Sequence, residues 1–484
     1  MKNKGIIARR ISLKRFRKKI LRKNKIYAGE IATRQYLERR EEKSINKLKN
    51  KLGGEITYES VLRTYLPTNL SYLLNCENCD FSWENLMKIK PWEMEVFKVP
   101  KTFSLIDNPD ETYYFLKQVL YALLKGKKGT LYFDYEFCTE LEIAAQVFLD
   151  IMIKDVISVY NICSRKRVLR ETLGVIKIVG LTNQINTLKN NESALKILYS
   201  VGSMNIHAKK KVQFRDIEKY ELCEYSRSPS EMKNIAKQRD AIDTSTLVDY
   251  VRNCLKRVGK DLPFEDLTSL TNIVTEALIN AQEHSTVGTR FSIGYYQDNK
   301  KSEGHSGVFR LVIINFGKTI YEKFADPACE NPRVVGLMKE LSSNYTKRDF
   351  FLQREFEEET LWTLYALQDG VTSVSPEEYE IRGGGTIRFI ESFLKLNGDG
   401  KHNERNSRMT VLSGNTSIIF DGKYKVVDKI DQDGNIGVMT FNESGKIEDK
   451  PDKNYVRFVK NYFPGTIIGA RIWLDEEAIN VNEK

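Results

Sequence analysis

No stretch of the chain is apolar for long enough to cross a bilayer. Its charged start lacks the apolar segment of a secretory signal, so the expectation is a cytoplasmic protein. Cysteine points the same way. Seven thiols, an odd number scattered over 484 residues, do not suggest a disulfide framework. Cys76 and Cys79 have the spacing of two zinc ligands, but no second Cys-x-x-Cys or Cys-x-x-His exists, and the reading is a pair of reduced thiols in a turn. Asp431-Gln-Asp433-Gly-Asn435 begins like a calcium loop and lacks the glutamate at EF-hand spacing, so it reads as a turn. Histidine is scarce, four in all, and His207 alone precedes residue 284.

Negative charge is nearly missing from residues 1–51, which hold 4 Glu against 19 Lys and Arg, a balance of +15. The whole chain carries +11, so the remainder is at −4 and the basic character belongs to one arm. Ile11, Leu13, Phe16, Ile20 and Leu21 thread through that charge, as in a basic amphipathic helix. Such an arm can neutralise nucleic-acid phosphates, lie on an acidic membrane surface, dock on an acidic protein, or stay solvated. Nothing in it reads a base sequence.

What is present is ordinary globular material: 41% hydrophobic, 29% charged and 11% aromatic residues, enough for two or three domains. Residues 100–205 alternate between patterns. Strands are expected at 101–106, 129–135 and 173–180, with helices at 111–125, 140–160 and 191–201, which argues an α/β domain with a partly parallel sheet. Lys209 to Lys211 read as a solvated turn, and Tyr220 to Lys237 as a linker and lead-in helix.

Further on, Leu267, Leu270, Val274, Ala277, Leu278 and Ala281 recur at steps of three or four and predict an amphipathic helix. Glu276 and Asn280 lie four apart, one turn above each other on a single face, and His284 continues that face. A carboxylate there can orient or deprotonate a water. A carboxamide oxygen can hold a hard cation such as Mg²⁺. A strand-like run, 307–315, ends in Asn315-Phe316-Gly317. Arg382, Gly383, Gly384, Gly385 and Thr386 then open a second helical pattern, where backbone N–H groups at a helix start can meet an anion. Gly465-Thr466 opens a last strand.

In that order these segments resemble the GHKL superfamily of ATP-binding domains (gyrase, 90-kDa heat-shock chaperones, histidine kinases, MutL, anti-sigma serine kinases), over residues 240–475. The resemblance implies ATP and Mg²⁺ as ligands. It makes Glu276 the general base and Asn280 the Mg²⁺ ligand, with His284 beside them. It places Asn315 and Gly317 in one glycine box, Arg382 to Thr386 in another, and Thr466 at the adenine pocket. Asn315 stands where the family has Asp, Thr319 replaces a glycine, and Glu283 stands where histidine kinases often carry Lys. The asparagine oxygen still accepts and its NH₂ adds a donor, so base preference is open. The strand–Asp134–helix segment faintly resembles a STAS-type domain.

The fold class expected is α/β in the broad sense, an α+β sandwich. It has a basic arm at 1–51, an α/β domain at 52–230, and an ATP-binding domain at 231–484 with a long lid at 318–381. The function expected is Mg²⁺-dependent ATP binding with slow hydrolysis, driving a switch in a signalling or defence protein. Two alternatives stay open: a serine protein kinase of the anti-sigma kind, and a non-hydrolysing scaffold with a nucleic-acid-binding arm. His207 lacks the acidic neighbour usual after a phospho-acceptor, which argues against a histidine autokinase. The resemblance also implies dimerisation with ATP bound.

Overall fold

The computed structural model describes residues 2–90, 96–125, 131–165, 169, 181–183, 191–207, 212–227, 231–299, 305–347, 355–373, 386–396, 407–431 and 434–476. Two compact units result: Met1–Leu66 with Ile157–Ile178, and Pro67–Val156 with Val179–Lys484. This division differs from the boundaries expected at 51 and 230.

In the first unit a single helix, α1, runs Lys2–Leu52. No proline interrupts residues 1–66, and Gly53 and Gly54, with φ of 72° and 142°, end the helix as only glycine does cheaply. Leu13, Phe16, Ile20 and Leu21 are exposed along it. A short helix, α2 (Tyr58–Tyr65), follows a reciprocal cap between Thr57 and Ser60.

The second unit begins with α3 (Thr68–Asn75), α4 (Trp83–Lys88), β1 (Val96–Lys98), β2 (Thr102–Phe103), α5 (Pro109–Leu124), β3 (Leu131–Asp134) and β4 (Glu140–Leu141). Then come α6 (Ile143–Arg165, which runs on into the first unit), β5 (Leu181–Asn183), α7 (Glu192–Ser200) and α8 (Ser203–Ile206). The strands β1, β3 and β5 form a parallel sheet, and β2 pairs with β4, also parallel. The expected strand at 173–180 lies outside the described residues, as do Lys209 to Lys211. Cys79 is buried and burial raises its thiol, as it does that of Cys76. No cluster of three metal-ligating side chains occurs among the described residues.

A second sheet is antiparallel and contains five strands in the order β6-β7-β8-β12-β9. Its members are β6 (Ile217–Ser226), β7 (Thr289–Asp298), β8 (Ser306–Phe316), β9 (Arg408–Phe420) and β12 (Val456–Asp475). The small hairpin β10 (Val427–Asp431) and β11 (Gly434–Val438) stands apart. With β6 the sheet starts earlier than expected: residues 220–226 are its edge strand, not a linker or helix. Charge at Glu218, Lys219, Glu221 and Glu224, and a bulge between Tyr220 and Cys223, break the alternation that would have signalled a strand.

One face of this sheet carries helices: α9 (Lys233–Arg257), α10 (Phe264–His284), α11 (Ile320–Ala325), α12 (Pro332–Thr346), α13 (Glu358–Ala366) and α14 (Thr386–Leu394). Leu270, Val274 and Leu278 of α10 pack into one core with Leu311, Ile313, Val411, Phe393 and Trp362. Phe316 of β8 and Phe463 of β12 face the other way and meet Phe148 of α6, at centroid distances of 6.0 and 5.4 Å. The antiparallel sheet is thus a shared middle layer, and the chain is of the mixed α+β class. Among the described residues no helix is long and apolar enough to cross a membrane.

Candidate functional site

Strand register builds the floor of the site. Arg290, Asn315, Thr466 and Ser413 stand directly opposite one another across β7, β8, β12 and β9, all on the helix-bearing face. The next row inward, Ser292, Ile313, Ile468 and Val411, is largely apolar. A polar row therefore ends an apolar floor. Its members differ in how they are satisfied. Arg290 is buried and paired with Asp243 at 2.6 Å and Asp240 at 3.3 Å. Ser413 Oγ donates to the Gly465 carbonyl at 2.9 Å and lies 3.1 Å from Thr466 Oγ1. Asn315 is 3% exposed, and its Nδ2 has no hydrogen-bond partner among the described residues. Burying an amide N–H₂ without a partner costs about 1–3 kcal/mol.

Gly465 makes the row possible. Its φ is 139°, and a Cβ there would stand 2.1 Å from the Asn315 carbonyl oxygen. Gly317 closes the other side: with φ of 145°, a Cβ would stand 2.3 Å from the Thr286 amide nitrogen. Thr319, two residues on, caps α11 by accepting from the Glu322 amide, and Glu322 accepts in return from the Thr319 amide. That capping box is a local reason for threonine at this place.

Helix α10 forms the wall above the row. Pro263 starts it, Glu265 and Asp266 sit in its first turn where the helix dipole favours acids, and its apolar stripe is buried. The opposite rim carries Glu276, Asn280 and His284 beside a hollow of about 190 Å³. Asn315, Thr386, Thr466, Lys318 and Lys323 line the same hollow. Thus Glu276, Asn280, His284, Asn315, Thr386 and Thr466 share one cavity. Gly317 lies in the turn that delivers Lys318 to it. Arg382, Gly383, Gly384 and Gly385 lie outside the described residues.

The segment expected as a lid is organised. Trp362 of α13 is buried and donates to Ser342 Oγ of α12 at 3.1 Å. Within this segment α13 spans Glu358–Ala366 among the described residues. The chain after α13 is anchored: Gln368 accepts from the Met439 amide at 2.8 Å, and Asp369 accepts from Arg388 at 3.1 Å. Leu367, Val371, Thr372 and Ser373 then form a side of the hollow. Residues 374–381 lie outside the described residues.

Sequence reasoning passed over two cations. Lys323 Nζ sits 2.6 Å from His284 Nδ1 and 3.4 Å from the Glu283 carbonyl. Burial pushes its ammonium down to about 8; the Glu283 carboxylate opposes that shift and Lys318 adds to it. Glu283, which alone would repel an anion, thus faces a lysine. Lys318 follows the glycine turn directly and pairs with Asp326. A lysine next to a glycine turn is a signal, but its direction is set by the turn and could not be read. A carboxylate, a carboxamide, two lysines, and an unpaired buried amide over an apolar floor suit a flat polar-edged ring attached to a polyanion. Comparison of the chain with protein-family models, curated proteins and solved structures gave no match.

Proposed function

We propose that this hollow binds a purine nucleoside triphosphate, ATP in the first place, together with Mg²⁺, and hydrolyses it slowly as a conformational switch. The observation that carries the reading is the convergence of Glu276, Asn280, Thr386 and Thr466 on the cavity floored by the unpartnered Asn315 amide. These are positions that the GHKL resemblance assigns to nucleotide, and an α+β layering with helices over one face of an antiparallel sheet is in keeping with it.

The residues fit such a ligand in kind. Asn315 would meet the polar edge of the base and Ile313, Val411 and Ile468 its flat face. Lys323 and Lys318 would meet phosphate oxygens. A nucleotide-borne Mg²⁺ takes one or two protein oxygens and several waters, so the Asn280 carboxamide is sufficient from the chain's side. When bound, the ion would neutralise charge on the phosphates. Glu276, one turn from Asn280, would orient and deprotonate the attacking water.

Histidine autophosphorylation is disfavoured, because the His207 imidazole is 9% exposed and turned to Asp150 at 3.3 Å. Thermal denaturation of the full chain with ATP, ADP or GTP, with and without Mg²⁺, tests the proposal. Saturable stabilisation by a triphosphate that requires Mg²⁺ is expected; no stabilisation by any of the three would refute it.

A further inference from the structure

The opposite face of the antiparallel sheet carries a second row set by the same register. Tyr295, Arg310, Arg471 and Arg408 stand opposite one another across β7, β8, β12 and β9. Three guanidinium side chains on three neighbouring strands are therefore adjacent, an arrangement that repels unless counter-charge is supplied. The chain supplies it to one of them. Arg408 forms a two-pronged pair with Asp107, one contact at 2.9 Å. Among the described residues Arg310 has the Val308 carbonyl at 3.5 Å and the Tyr295 ring at 5.6 Å. Arg471 is exposed, and neither Arg310 nor Arg471 has an ion pair among the described residues.

These arginines border a cavity of about 240 Å³ between the sheet and the residues around β4 and α7. Gly469, one row along, leaves the floor open where a side chain would fill it. Thr410 and Ser193 add hydroxyls. The acids on the far wall, Asp107, Glu142 and Glu140, set their charge against Arg408; Glu142 also accepts from the Leu105 amide at 2.8 Å and Glu140 from the Thr102 hydroxyl at 3.5 Å. Burial, and then Arg471, push the Arg310 guanidinium down to about 10, as expected for a cation lacking a counter-ion.

We infer that this cavity is an anion site, separate from the proposed nucleotide hollow, in which Arg310 and Arg471 together bind a phosphate group of a small molecule. A carboxylate is satisfied by one guanidinium fork. Two forks facing one opening match the several oxygens and double charge of a phosphate. The site lies between the N-terminal residues of this unit and the sheet whose other face carries the nucleotide hollow, so a ligand here would bear on how the layers hold together.

The full chain, in phosphate-free buffer, is titrated with sodium phosphate, with glycerol 3-phosphate, and with sodium chloride at matched ionic strength, and thermal stability is followed. Saturable stabilisation beyond the chloride control is expected. A response to inorganic phosphate alone identifies the free ion as ligand; a tighter response to glycerol 3-phosphate identifies an organic ester. Exposed Arg471 can be replaced without burying a new group, so Arg471→Gln is the primary variant and should weaken phosphate roughly tenfold or more. Arg310→Gln, checked for folding by circular dichroism, should do the same. No response beyond chloride overturns the inference. So does a response that survives Arg471→Gln.

Discussion

Raising the pH from 7.5 to 9 is expected to weaken triphosphate binding about eightfold, through Lys323 alone. In the free protein its ammonium titrates near 8, held down by burial. A bound phosphate would return it towards the ordinary lysine value of 10.5. Well below 8 the free lysine is already charged, and binding takes up little or no proton. Above 8 each binding event must recruit a proton, so affinity falls with rising pH. The charged fraction of the free lysine drops from about three-quarters at pH 7.5 to about one-tenth at pH 9, while the complex stays charged; the ratio gives the eightfold loss. Calorimetry of Mg·ATP binding in two buffers of different ionisation enthalpy measures both quantities. At pH 8.5 it should report uptake of about 0.7 proton. Lys323→Arg keeps a charge that does not titrate in this range, so its profile should be flat. A wild-type profile parallel to that of Lys323→Arg, or binding without proton uptake, refutes the assignment.

Three further outcomes follow from the same geometry. Glu276→Ala should retain Mg·ATP-dependent stabilisation and lose hydrolysis by about 10²–10⁴-fold, read as phosphate release; retained turnover would remove Glu276 from the role of base. Asn315 offers both a donor and an acceptor, so GTP should be accepted alongside ATP. Asn315→Asp, which only accepts when ionised, should shift the ratio towards ATP by about tenfold in competitive titration, and an unchanged ratio would mean that Asn315 does not touch the base. Phe148→Ala removes the ring that α6 lays against Phe316 and Phe463, and should cost about 3–5 kcal/mol in denaturant unfolding. A cost under about 1 kcal/mol would show that this contact between the layers contributes little.

Much of the site is local in origin and was legible. A 3.6-residue period fixes which face of α10 is buried, and with it that Glu276, Asn280 and His284 share the other rim. The apolar run before Asn315 and the glycine before Thr466 mark strands that end in polar tips. Less legible was β6, where charged residues and a bulge remove the period-two signal from an edge strand. Lys323 was missed because its depressed charge depends on burial and on Lys318, and its contact with His284 joins residues some forty apart in the chain.

By itself, then, the sequence determined helices, strand tips and the basic arm, because periodicity and charge act over a few residues. Only the tertiary structure decided which tips meet. Pairing of β7, β8, β12 and β9 brings residues from 290 to 466 into one polar row, and by the same register aligns Arg310, Arg471 and Arg408 behind it. A strand presents alternate residues to opposite faces, so one choice of register sets both rows at once. No local pattern carries that choice; it is made where the sheet packs between its two layers.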